Sequence, residues 1–399
     1  MHIVIAHFGT YYVGMPGGVE KVTCNLANAM TEKGHKVTIL YRDSKEGEPY
    51  FSLDSRIEQH NILFENGVQK ISEKLPLTLR LDREIKRIFS QNAAQSVNAK
   101  YKGKQYGQSI HRWLEKLQPD VVLSCSIPST KYVIEDAGYQ GPVVTMIHAD
   151  PAVQFPKLSD IEKRAAAKSA VMQLLLPSAL ETAQGYFPNL PMKVIGNAVF
   201  PVDRMADLQS DKPEYVISCV GNICERKNQR LLVQVFSHIM EEFPQWKLEL
   251  WGRCTSRYAS YLTREIHRKG WDSRILIKGE TDHVENVYAH SDIFVLLSQS
   301  EGFPLSLSEA MAAGLPSVGL KKCFGVRDLI EDGKTGFLVS ENEGNIAMTL
   351  GRIMSNAELR NQMGRLGKYT MKKYDPVNIW NEWESLLKQT ASMLIKYNS

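Results

Sequence analysis

Two carboxylates, Glu301 and Glu309, lie eight positions apart in the stretch SEGFPLSLSEAMAAGLP. The apolar run DIFVLLS before them predicts a strand, and LSLSEAMAAG predicts a helix that Gly314 ends. Glu301 is therefore expected in a strand-to-helix loop at the carboxyl edge of a parallel sheet, where open α/β folds bind ligands. The start of that helix would offer free N–H groups to a phosphate, and Glu309, about one turn further on, could accept hydrogen bonds from a diol.

The same two residues also have a plainer interpretation. Glu301 could cap the helix, and Glu309 could face solvent, where most glutamates of folded proteins lie. The stretch alone does not decide between a binding site and a capped surface helix, so the decision rests on the elements around it.

Short Val- and Ile-rich runs alternate with helical patterns along the chain. The runs suit strands that are buried on both faces of a parallel sheet. They fall into two consecutive series, with HIVIAHF, KVTILYR, DVVLSCS and PVVTMIH in the first and YVISCVG, WKLELWG, RILIKG, DIFVLLS and PSVGL in the second. This order predicts two doubly wound α/β domains over residues 1–200 and 214–375, joined by the polar linker FPVDRMADLQSDKP.

Composition supports this organisation and narrows the class of protein. The length of 399 residues agrees with two domains, because single hydrophobic cores stop growing at roughly 250–300 residues. The net charge of +4 is too small to argue for nucleic-acid binding by itself. The six cysteines include no CxxC pair, and Cys219 and Cys224 lack histidine partners at zinc-ligand spacing, so we expect the reduced thiols of a cytosolic enzyme.

No apolar run in this sequence predicts a membrane anchor. The run MHIVIAHFG lacks the basic start and the long apolar stretch of a signal peptide, and it predicts a first strand instead. No run approaches the roughly 18 apolar residues that a membrane-spanning helix needs. We therefore expect a cytoplasmic protein, and peripheral contact with the inner face of the cell membrane stays open.

The segment from Lys70 to Lys104 is strongly basic, with nine basic and three acidic residues. Within it, LPLTLRLDREIKRIFS predicts a helix with Leu77, Leu81, Ile85 and Ile88 near one face. One interpretation is a surface helix that packs on its own domain. The other is an interfacial helix attracted to anionic lipid, where each basic residue near the surface adds about 1 kcal/mol.

The run HSDIFVLLSQSEGFPLSLSEAMAAGLPSV resembles the E-x7-E signature of glycosyltransferase family 4, a group of retaining enzymes with the GT-B fold. Four further segments resemble motifs of that family: MPGGVEKVTCNLANAM, TMIHADP, VGNICERKNQRLL and VRDLIEDGKTGFLV. The resemblance implies two Rossmann-like domains that face across a cleft, with the nucleotide-sugar donor mainly on the second and the acceptor mainly on the first. It also implies that the helical tail 376–399 crosses back to the N-terminal domain.

Carried over by position, the resemblance gives matched residues of the second domain an expected role. Glu301 would contact hydroxyls of the donor sugar, and Glu309 would hold the ribose diol. Lys227 would bind the diphosphate, and Arg226 could supply the cation that the family commonly has where this chain has Asn222. The further donor-binding positions are Phe303, Leu305 and Ser306, through their backbone amides, together with Asn222 and Gly279.

Three residues of the first domain carry over in the same way. Gly17 and Gly18 would let backbone N–H groups approach the phosphates, since glycine has no side chain in the way. His148 ends the predicted strand PVVTMIH and matches the family histidine that faces the donor sugar. It would donate a hydrogen bond to a sugar hydroxyl or steady the developing positive charge.

The resemblance implies a retaining glycosyltransferase that moves a hexose or N-acetylhexosamine from a nucleotide-diphosphate sugar, with UDP favoured by family frequency. The acceptor would be a glycan or lipid-linked glycan in bacterial cell-surface polysaccharide, lipopolysaccharide or glycoprotein glycan synthesis. No cofactor besides the donor substrate and no metal are expected, because the sequence has no Asp-x-Asp pair. Two alternatives stay open, a GT-B sugar-nucleotide 2-epimerase and a non-catalytic nucleotide-sugar-binding module.

Overall fold

Val- and Ile-rich runs form two separate parallel sheets in the computed structural model, which describes residues 1–89, 91–202, 204–209 and 211–397. Each sheet is the centre of one compact unit. Unit 1 comprises Met1–Leu175, Ala179–Ile195 and Trp380–Ser399, and unit 2 comprises Leu176–Ser178 and Gly196–Ile379.

Unit 1 is built on a parallel sheet of seven strands among its described residues. In chain order the strands of the unit are β1 (His2–His7), β2 (Lys36–Tyr41), β3 (Glu58–Asn61), β4 (Phe64–Glu65), β5 (Val68–Gln69), β6 (Val121–Ser124), β7 (Val143–Met146), β8 (Val171–Leu174) and β9 (Met192–Val194). The sheet order is β3-β2-β1-β6-β7-β8-β9, while β4 and β5 form a separate antiparallel hairpin. The order reverses between β1 and β6, which is where sheets of this type bind ligands.

The helices of unit 1 connect these strands. They are α1 (Gly18–Glu32), α2 (Leu77–Phe89), α3 (Gln91–Leu117), α4 (Ile127–Lys131), α5 (Pro151–Gln154), α6 (Asp160–Ala167) and α7 (Ala179–Tyr186). Helix α1 follows β1 as predicted and buries Val22, Leu26 and Met30, which are spaced four residues apart on one face. Gly34, at φ +83°, lets the chain leave the helix in the left-handed conformation that glycine favours.

Unit 2 is built on a second parallel sheet, which has six strands in the described part of the chain. They are β10 (Tyr215–Val220), β11 (Trp246–Trp251), β12 (Ile275–Gly279), β13 (Ile293–Leu296), β14 (Ser317–Leu320) and β15 (Gly336–Val339). The sheet order is β12-β11-β10-β13-β14-β15, so the reversal in this unit lies between β10 and β13. The five apolar runs of the second predicted series all form strands of this sheet.

Helices also follow the strands of unit 2. They are α8 (Gln229–Ile239), α9 (Arg257–Arg268), α10 (Val284–His290), α11 (Leu305–Ala312), α12 (Phe324–Arg327), α13 (Glu343–Met354) and α14 (Ala357–Met371). Helix α11 is the helix predicted after Glu301. Pro304 stands at its N-cap, and Gly314, at φ +86°, follows its end.

The last helix, α15 (Pro376–Tyr397), returns to unit 1 from Trp380 onward. Its Glu384 accepts a hydrogen bond from Lys33 Nζ at 3.1 Å, and the same ammonium donates to Asn381 at 2.7 Å. Trp383 and Leu387 are buried beside these contacts. The predicted return of the terminal helix to the N-terminal domain is confirmed.

Helix α2 leaves a row of apolar side chains exposed to solvent. The exposed fractions of its apolar residues are 76% for Leu77, 67% for Leu81, 57% for Ile85 and 81% for Ile88. These four residues define the α2 apolar face.

In the described part of the chain, no helix combines the length and the apolar character that crossing a bilayer requires.

Candidate functional site

The two loops that carry the predicted donor site of unit 2 lie side by side at the carboxyl edge of its sheet. Strands β10 and β13 pair in parallel, with Ile217 opposite Ile293, and the strand order reverses between them. The loop after β10 carries Arg226 and Lys227, and the loop after β13 carries Glu301. The sheet order thus brings together residues that lie far apart in the sequence, at the edge where such folds bind ligands.

The carboxylate of Glu301 is paired with both cations. Lys227 Nζ lies 2.7 Å and Arg226 Nη1 lies 2.9 Å from the same Oε1 atom. The side chains of Glu301 and Lys227 are each 11% exposed, whereas Arg226 is about half exposed. Arg226 also donates to the carbonyl of Ser300 at 2.7 Å, and the Gln299 N–H donates to the carbonyl of Arg226 at 2.8 Å. These contacts hold the two loops in a fixed relation.

The charges at this point favour an anionic ligand. Burial by itself would raise the pKa of Glu301, but the charges of Lys227 and Arg226 outweigh it and hold that pKa below its usual value. Glu301 is therefore ionised at neutral pH, and two cations face one anion. A diphosphate could take over part of these contacts, because charge-assisted hydrogen bonds to phosphate are strong.

The loop after β10 is shaped to place Lys227. A short 3-10 turn spans Glu225–Lys227, and Asn228 follows in the left-handed conformation at φ +55°. A Cβ atom at Gly221 would lie 3.1 Å from Lys227 Cε, so glycine at that position leaves room for the lysine stem. Asn222 is exposed in the same loop, and its carbonyl accepts a hydrogen bond from Gln229 at 3.0 Å.

The loop after β13 is held by the start of α12. The N–H of Gly325 donates to the carbonyl of Glu301 at 3.0 Å. A Cβ atom at Gly325 would lie 2.7 Å from the carbonyl oxygen of Glu301 and 2.8 Å from that of Gly302, so only glycine permits this approach. Leu305 and Ser306 are the first two residues of α11. Amides in this first turn have no acceptor within the helix itself.

Glu309 lies on α11 and has a buried partner. The hydroxyl of Tyr288 donates to Glu309 Oε2 at 3.1 Å. Burial, together with the charge of Glu309, raises the pKa of Tyr288 well above its usual value, so this hydroxyl stays a donor. Phe303 is also buried, and its ring packs edge-on against Tyr374 with 5.0 Å between centroids. That packing fixes the backbone of the loop just before α11.

Gly279 lies further along the same sheet edge. It ends β12 at φ +81°, and its carbonyl accepts a hydrogen bond from the Gly252 N–H at 2.7 Å. Gly252 in turn lies against the backbone of Gly221, which a side chain at Gly252 would strike. Gly279 is therefore linked to the lysine loop through Gly252 and is separated from β10 by β11.

Glu341, which the sequence analysis did not single out, ties the loops of this site together. It follows β15, and its Oε1 accepts hydrogen bonds from Asn228 Nδ2 at 3.0 Å and from the side-chain amide of Gln299. Its Oε2 is paired with the ammonium of Lys322. Asn228 directly follows Lys227, and Gln299 stands two residues before Glu301. One carboxylate thus contacts both loops that carry the charged residues.

In unit 1, the structure places the three predicted residues at the carboxyl edge of the sheet. His148 follows β7, and its Nε2 atom is buried although part of the residue reaches the surface. Burial, with a smaller contribution from His7, lowers the pKa of His148 to about 4. Gly17 and Gly18 stand at the start of α1. The carboxylate of Glu20 folds back over Gly17 and occupies the space that a side chain there would need.

Two residues of this edge were missed by the sequence analysis. His7, the last residue of β1, is 1% exposed, and Glu20, in the first turn of α1, is 5% exposed. His7 Nε2 lies 3.5 Å from Glu20 Oε1, which also accepts a hydrogen bond from the Thr10 hydroxyl at 2.6 Å. A histidine at the end of an apolar strand and a glutamate two residues after a Gly-Gly pair were the signals available. Within the described ranges, no group of three or more His, Cys, Asp or Glu side chains is arranged to hold a metal ion.

Curated proteins resemble this chain over different lengths. An uncharacterized glycosyltransferase of Haemophilus influenzae is 24% identical over 398 residues, which cover 94% of this chain and 97% of that protein. A poly(glycerol-phosphate) alpha-glucosyltransferase of Bacillus subtilis is 24% identical over 198 residues, but these cover 49% of this chain and only 29% of the longer relative.

Solved structures resemble the fold over nearly the whole chain. Sucrose-phosphate synthase from Thermosynechococcus elongatus superposes with a TM-score of 0.77 at 16% identity, over 98% of this chain and 99% of that structure. Anabaena Alr3699/HepE in complex with UDP-glucose gives a TM-score of 0.70 at 16% identity, over 98% of this chain and 100% of that structure. The likeness confirms the predicted GT-B fold class.

Family models match both parts of the sequence. The model for glycosyltransferase family 4 matches residues 16–180, and the model for glycosyl transferases group 1 matches residues 203–369. The two matches follow each other along the chain and together span most of it. This chain belongs to glycosyltransferase family 4, whose members have the GT-B fold.

Proposed function

We propose that this glycosyltransferase is a retaining enzyme that transfers a hexose or N-acetylhexosamine from a UDP-sugar to a glycan or lipid-linked glycan of the bacterial cell surface. The donor nucleotide binds unit 2. The acceptor binds unit 1, as the family resemblance implies. The observation that carries the proposal is the pairing of Lys227 and Arg226 with the Glu301 carboxylate beside the start of α11.

Lys227 and Arg226 bind the diphosphate in this proposal. Breaking the bond between the sugar and the diphosphate leaves additional negative charge on the nucleotide, and a nearby cation stabilises that charge in the transition state. The first-turn amides at Leu305 and Ser306, with the positive end of the helix dipole, add to the same effect. Asn222 and Gly279 lie along this edge and contribute backbone contacts.

Glu301 and Glu309 divide the donor between them. Glu301 lies beside the loop that carries Lys227 and accepts hydrogen bonds from the sugar hydroxyls. Glu309, one turn into α11, accepts hydrogen bonds from the ribose diol. The hydroxyl of Tyr288 donates to Glu309 Oε2 and so fixes the position of this carboxylate on α11. His148, in unit 1, pairs with a sugar hydroxyl as a neutral imidazole, since its pKa is lowered to about 4.

The relatives support the donor and the acceptor class. One structural neighbour was solved with UDP-glucose, and one curated relative is named for glucosyl transfer to poly(glycerol-phosphate). A metal-independent reaction is proposed because the cations that a departing diphosphate needs are supplied by side chains.

A panel of nucleotide sugars tests the proposal. A donor present at a hundred times its dissociation constant should raise the free energy of unfolding by about 2.7 kcal/mol, measured by thermal denaturation. UDP-glucose, UDP-N-acetylglucosamine and GDP-mannose, each against its free nucleotide, identify the base and the sugar. Stabilisation by none of them would contradict the proposal.

Turnover then separates the three candidate functions. A transferase releases UDP only in the presence of an acceptor pool, whereas an epimerase converts the nucleotide sugar into its epimer without acceptor, and a binding module changes neither. The anomeric configuration of the product, read by NMR, tests retention: an α-linked donor must give an α-linked product.

The basic segment from Lys70 to Lys104 carries the second part of the proposal, which is docking on an anionic membrane. The α2 apolar face is more than half exposed at each of its four positions. Ion pairs such as Lys86 with Asp82, at 2.8 Å, lie beside it, and the helix keeps a net positive charge. Apolar residues flanked by an excess of basic ones are typical of interfacial helices.

Vesicle binding tests this part. The protein should bind vesicles that contain phosphatidylglycerol and leave them as salt rises, because the screening length falls to roughly 8 Å at physiological ionic strength. The double substitution Leu81→Ser and Ile85→Ser should abolish binding. The control Met348→Ser changes a similarly exposed apolar residue on α13 of unit 2 and should leave binding unchanged. Equal binding to neutral and anionic vesicles would remove the electrostatic contribution.

A further inference from the structure

A cavity of about 470 Å³ lies in unit 1 between the edge strand β3, helix α3 and the hairpin of β4 and β5. In the sheet order β2 separates β3 from β1, beside which the order reverses. The volume is in the range of pockets that hold small organic molecules. We call this space the β3 cavity, and its lining includes His60, Lys70, Arg112, Trp113 and Lys116.

One wall of the β3 cavity is a stacked pair of aromatic rings. The ring of His60 lies on that of Trp113, with 4.0 Å between the centroids and 19° between the planes. Lys116 Nζ lies 4.9 Å from the centroid of the Trp113 ring, which holds this cation beside the cavity. The wall is therefore ordered and carries a positive charge.

The β4–β5 hairpin forms a second wall and leads to another cation. It turns at Asn66 and Gly67, whose φ values of +53° and +75° are typical of a tight two-residue hairpin turn. Directly after the hairpin, the N–H of Lys70 donates to the carbonyl of Leu63 at 2.9 Å. The backbone that carries Lys70 is thus fixed at the cavity.

The three cations of the β3 cavity come from two elements and lack carboxylate partners. Arg112 and Lys116 lie four residues apart on α3, so they share one face of the helix, where like charges repel each other. In the part of the chain that the structure describes, neither Lys70 nor Arg112 forms an ion pair. An anionic ligand would offset this repulsion, and phosphate forms strong charge-assisted hydrogen bonds with arginine and lysine.

Two carboxylates narrow the class of anion. Glu46 and Glu65 also line the cavity, and they would repel a bare phosphate ion while accepting hydrogen bonds from hydroxyl groups. Burial lowers the pKa of His60, so its ring is neutral at pH 7 and can also pair with a hydroxyl. The lining therefore suits a molecule that combines one phosphate with several hydroxyl groups.

We propose that the β3 cavity is a binding site for a phosphate ester of a sugar or polyol. Lys70 and Arg112, together with Lys116, bind the phosphate. Glu46 and Glu65 accept hydrogen bonds from the hydroxyl groups. Soluble sugar phosphates have this chemistry, and so does the glycerol phosphate headgroup of phosphatidylglycerol. The site goes beyond the proposed transfer reaction and does not depend on it.

Fluorine NMR of the full chain labelled with 5-fluorotryptophan tests the proposal, with the Trp113 signal assigned from Trp113→Phe. Excess UDP is present throughout, so that the proposed donor site is occupied. Glucose 6-phosphate or glycerol 3-phosphate should move the Trp113 signal at lower concentration than inorganic phosphate does, and glycerol should not move it. The signals that report on unit 2 should stay in place; they are those of Trp246, Trp251 and Trp271. An equal response to inorganic phosphate would refute the contribution of the hydroxyl groups.

Variants then assign the phosphate contact to Arg112. Arg112→Ala should raise the dissociation constant of glucose 6-phosphate about tenfold, as for the loss of a charge-assisted hydrogen bond, and Arg112→Glu should abolish detectable binding. Lys193→Glu reverses an exposed charge on β9, at the other edge of the same sheet, and is the matched control that should change nothing. Unaltered affinity in Arg112→Glu would overturn the proposal.

Phosphatidylglycerol vesicles distinguish the two sources of the ester. If they move the Trp113 signal and the soluble esters do not, the ligand is the lipid headgroup. A response to soluble esters that persists in the Leu81→Ser and Ile85→Ser protein assigns the site to soluble ligands. A Trp113 signal that responds to none of these probes would overturn the proposal.

The outcomes also separate this site from the proposed transfer activity. If nucleotide sugars are turned over while no probe moves the Trp113 signal, only the β3 cavity site is wrong. If a phosphate ester moves that signal but no nucleotide sugar stabilises the protein, the cavity site stands and the proposed donor is wrong.

Discussion

Each unit places a buried glutamate where its strand order reverses, but the two glutamates have different surroundings. Glu301 in unit 2 lies within 2.9 Å of both Lys227 and Arg226. Glu20 in unit 1 has a hydroxyl at 2.6 Å and an imidazole nitrogen at 3.5 Å, with no Lys or Arg among the ion partners found for it in the described residues. The two sites therefore favour different ligands on one type of scaffold.

The difference shows which contacts each sheet edge can offer to a ligand. In unit 2 the protein supplies its own counter-ions, and an anionic ligand must share them with Glu301. In unit 1 Glu20 accepts a hydrogen bond from Thr10 and lies beside the His7 ring, and in the described residues no Lys or Arg is paired with it that an anion could take over. The unit 2 edge therefore suits a diphosphate better than the Glu20 edge does, and the predictions below test this comparison.

Lys227→Ala should have the largest effect. It removes the cation that is both buried and closest to Glu301, and we expect kcat/KM to fall roughly 10²–10³-fold, as for the loss of one well-placed group that stabilises transition-state charge. Circular dichroism should show a folded protein. Lys247→Ala, which breaks an ion pair with Glu214 elsewhere in unit 2, is the control and should keep its activity. Near-normal transfer by folded Lys227→Ala would disprove the role of this lysine.

Glu301→Ala and Glu309→Ala should separate the sugar from the ribose. Each hydrogen bond from a hydroxyl to a charged acceptor contributes roughly 1.5–3 kcal/mol, which is about a 10–150-fold change in affinity. Glu309→Ala should therefore weaken UDP and UDP-sugar alike, since both carry the ribose. Glu301→Ala should spare UDP and weaken the UDP-sugar together with turnover.

Isothermal titration calorimetry of both variants with UDP and with the donor distinguishes these cases. Glu331→Ala removes an exposed glutamate of unit 2 and controls for a general loss of charge. Equal losses of UDP affinity in Glu301→Ala and Glu309→Ala would show that the division of roles is wrong, whatever the family.

The sequence predicts the scaffold of the donor site better than its contacts. The apolar runs and the glycine and proline signals around α11 are local, so the strands, the helix and the loop position of Glu301 could all be predicted. The pairing of Glu301 with Lys227 and Arg226 depends on β10 and β13 being neighbours, and no local pattern states which strands are adjacent. Only the family resemblance brought Lys227 into the predicted site.

His7 and Glu20 in unit 1 show the opposite case. His7 lies within an apolar strand and Glu20 within an amphipathic helix, so each pattern predicts the element correctly and hides the polar residue inside it. The two residues meet where the end of β1 approaches the first turn of α1, with His7 Nε2 3.5 Å from Glu20 Oε1, and periodicity does not encode that approach. Glu341 was missed for a similar reason, because it follows the edge strand β15 and its partners Asn228 and Gln299 come from two other loops.

His148 should make the stability of the protein depend on pH between about pH 4 and pH 6.5. Its pKa is about 4 in the folded protein and about 6.5 when unfolded, so between these values the unfolded chain binds more protons. The stability that the neutral ring contributes is complete above about pH 6.5 and is lost as the pH falls toward 4. Because part of the residue reaches the surface, we expect a loss of about 1–2 kcal/mol between pH 7 and pH 4.5.

Urea denaturation at a series of pH values measures this loss. His148→Gln should flatten the profile by the same amount, and His267→Gln, at a well exposed histidine of unit 2, should leave it unchanged. If wild type and His148→Gln give the same pH profile, the pKa of this ring does not differ between the folded and the unfolded protein. It would also contradict the description of His148 as a neutral ring in the folded protein.

Glu341→Gln should have the smallest effect and tests whether the unit 2 loops need their shared carboxylate. The substitution keeps one carbonyl oxygen for Asn228 and Gln299 but removes the charge that pairs with Lys322. Because the side chain is 35% exposed, the ion pair contributes little, and the main consequence is a looser relation between the loop of Lys227 and the loop of Glu301. We expect kcat to fall about three- to fivefold, equivalent to roughly 0.6–1 kcal/mol, with little change in UDP affinity, since positioning acts on the transition state more than on the bound nucleotide. Lys322→Met separates the two contributions, because it removes the ion pair and leaves both amide contacts in place. If Glu341 acts by positioning the loops, Lys322→Met should retain kcat where Glu341→Gln loses it. Equal losses in both variants would instead assign the effect to the charge of the pair and leave the loops of unit 2 independent of Glu341.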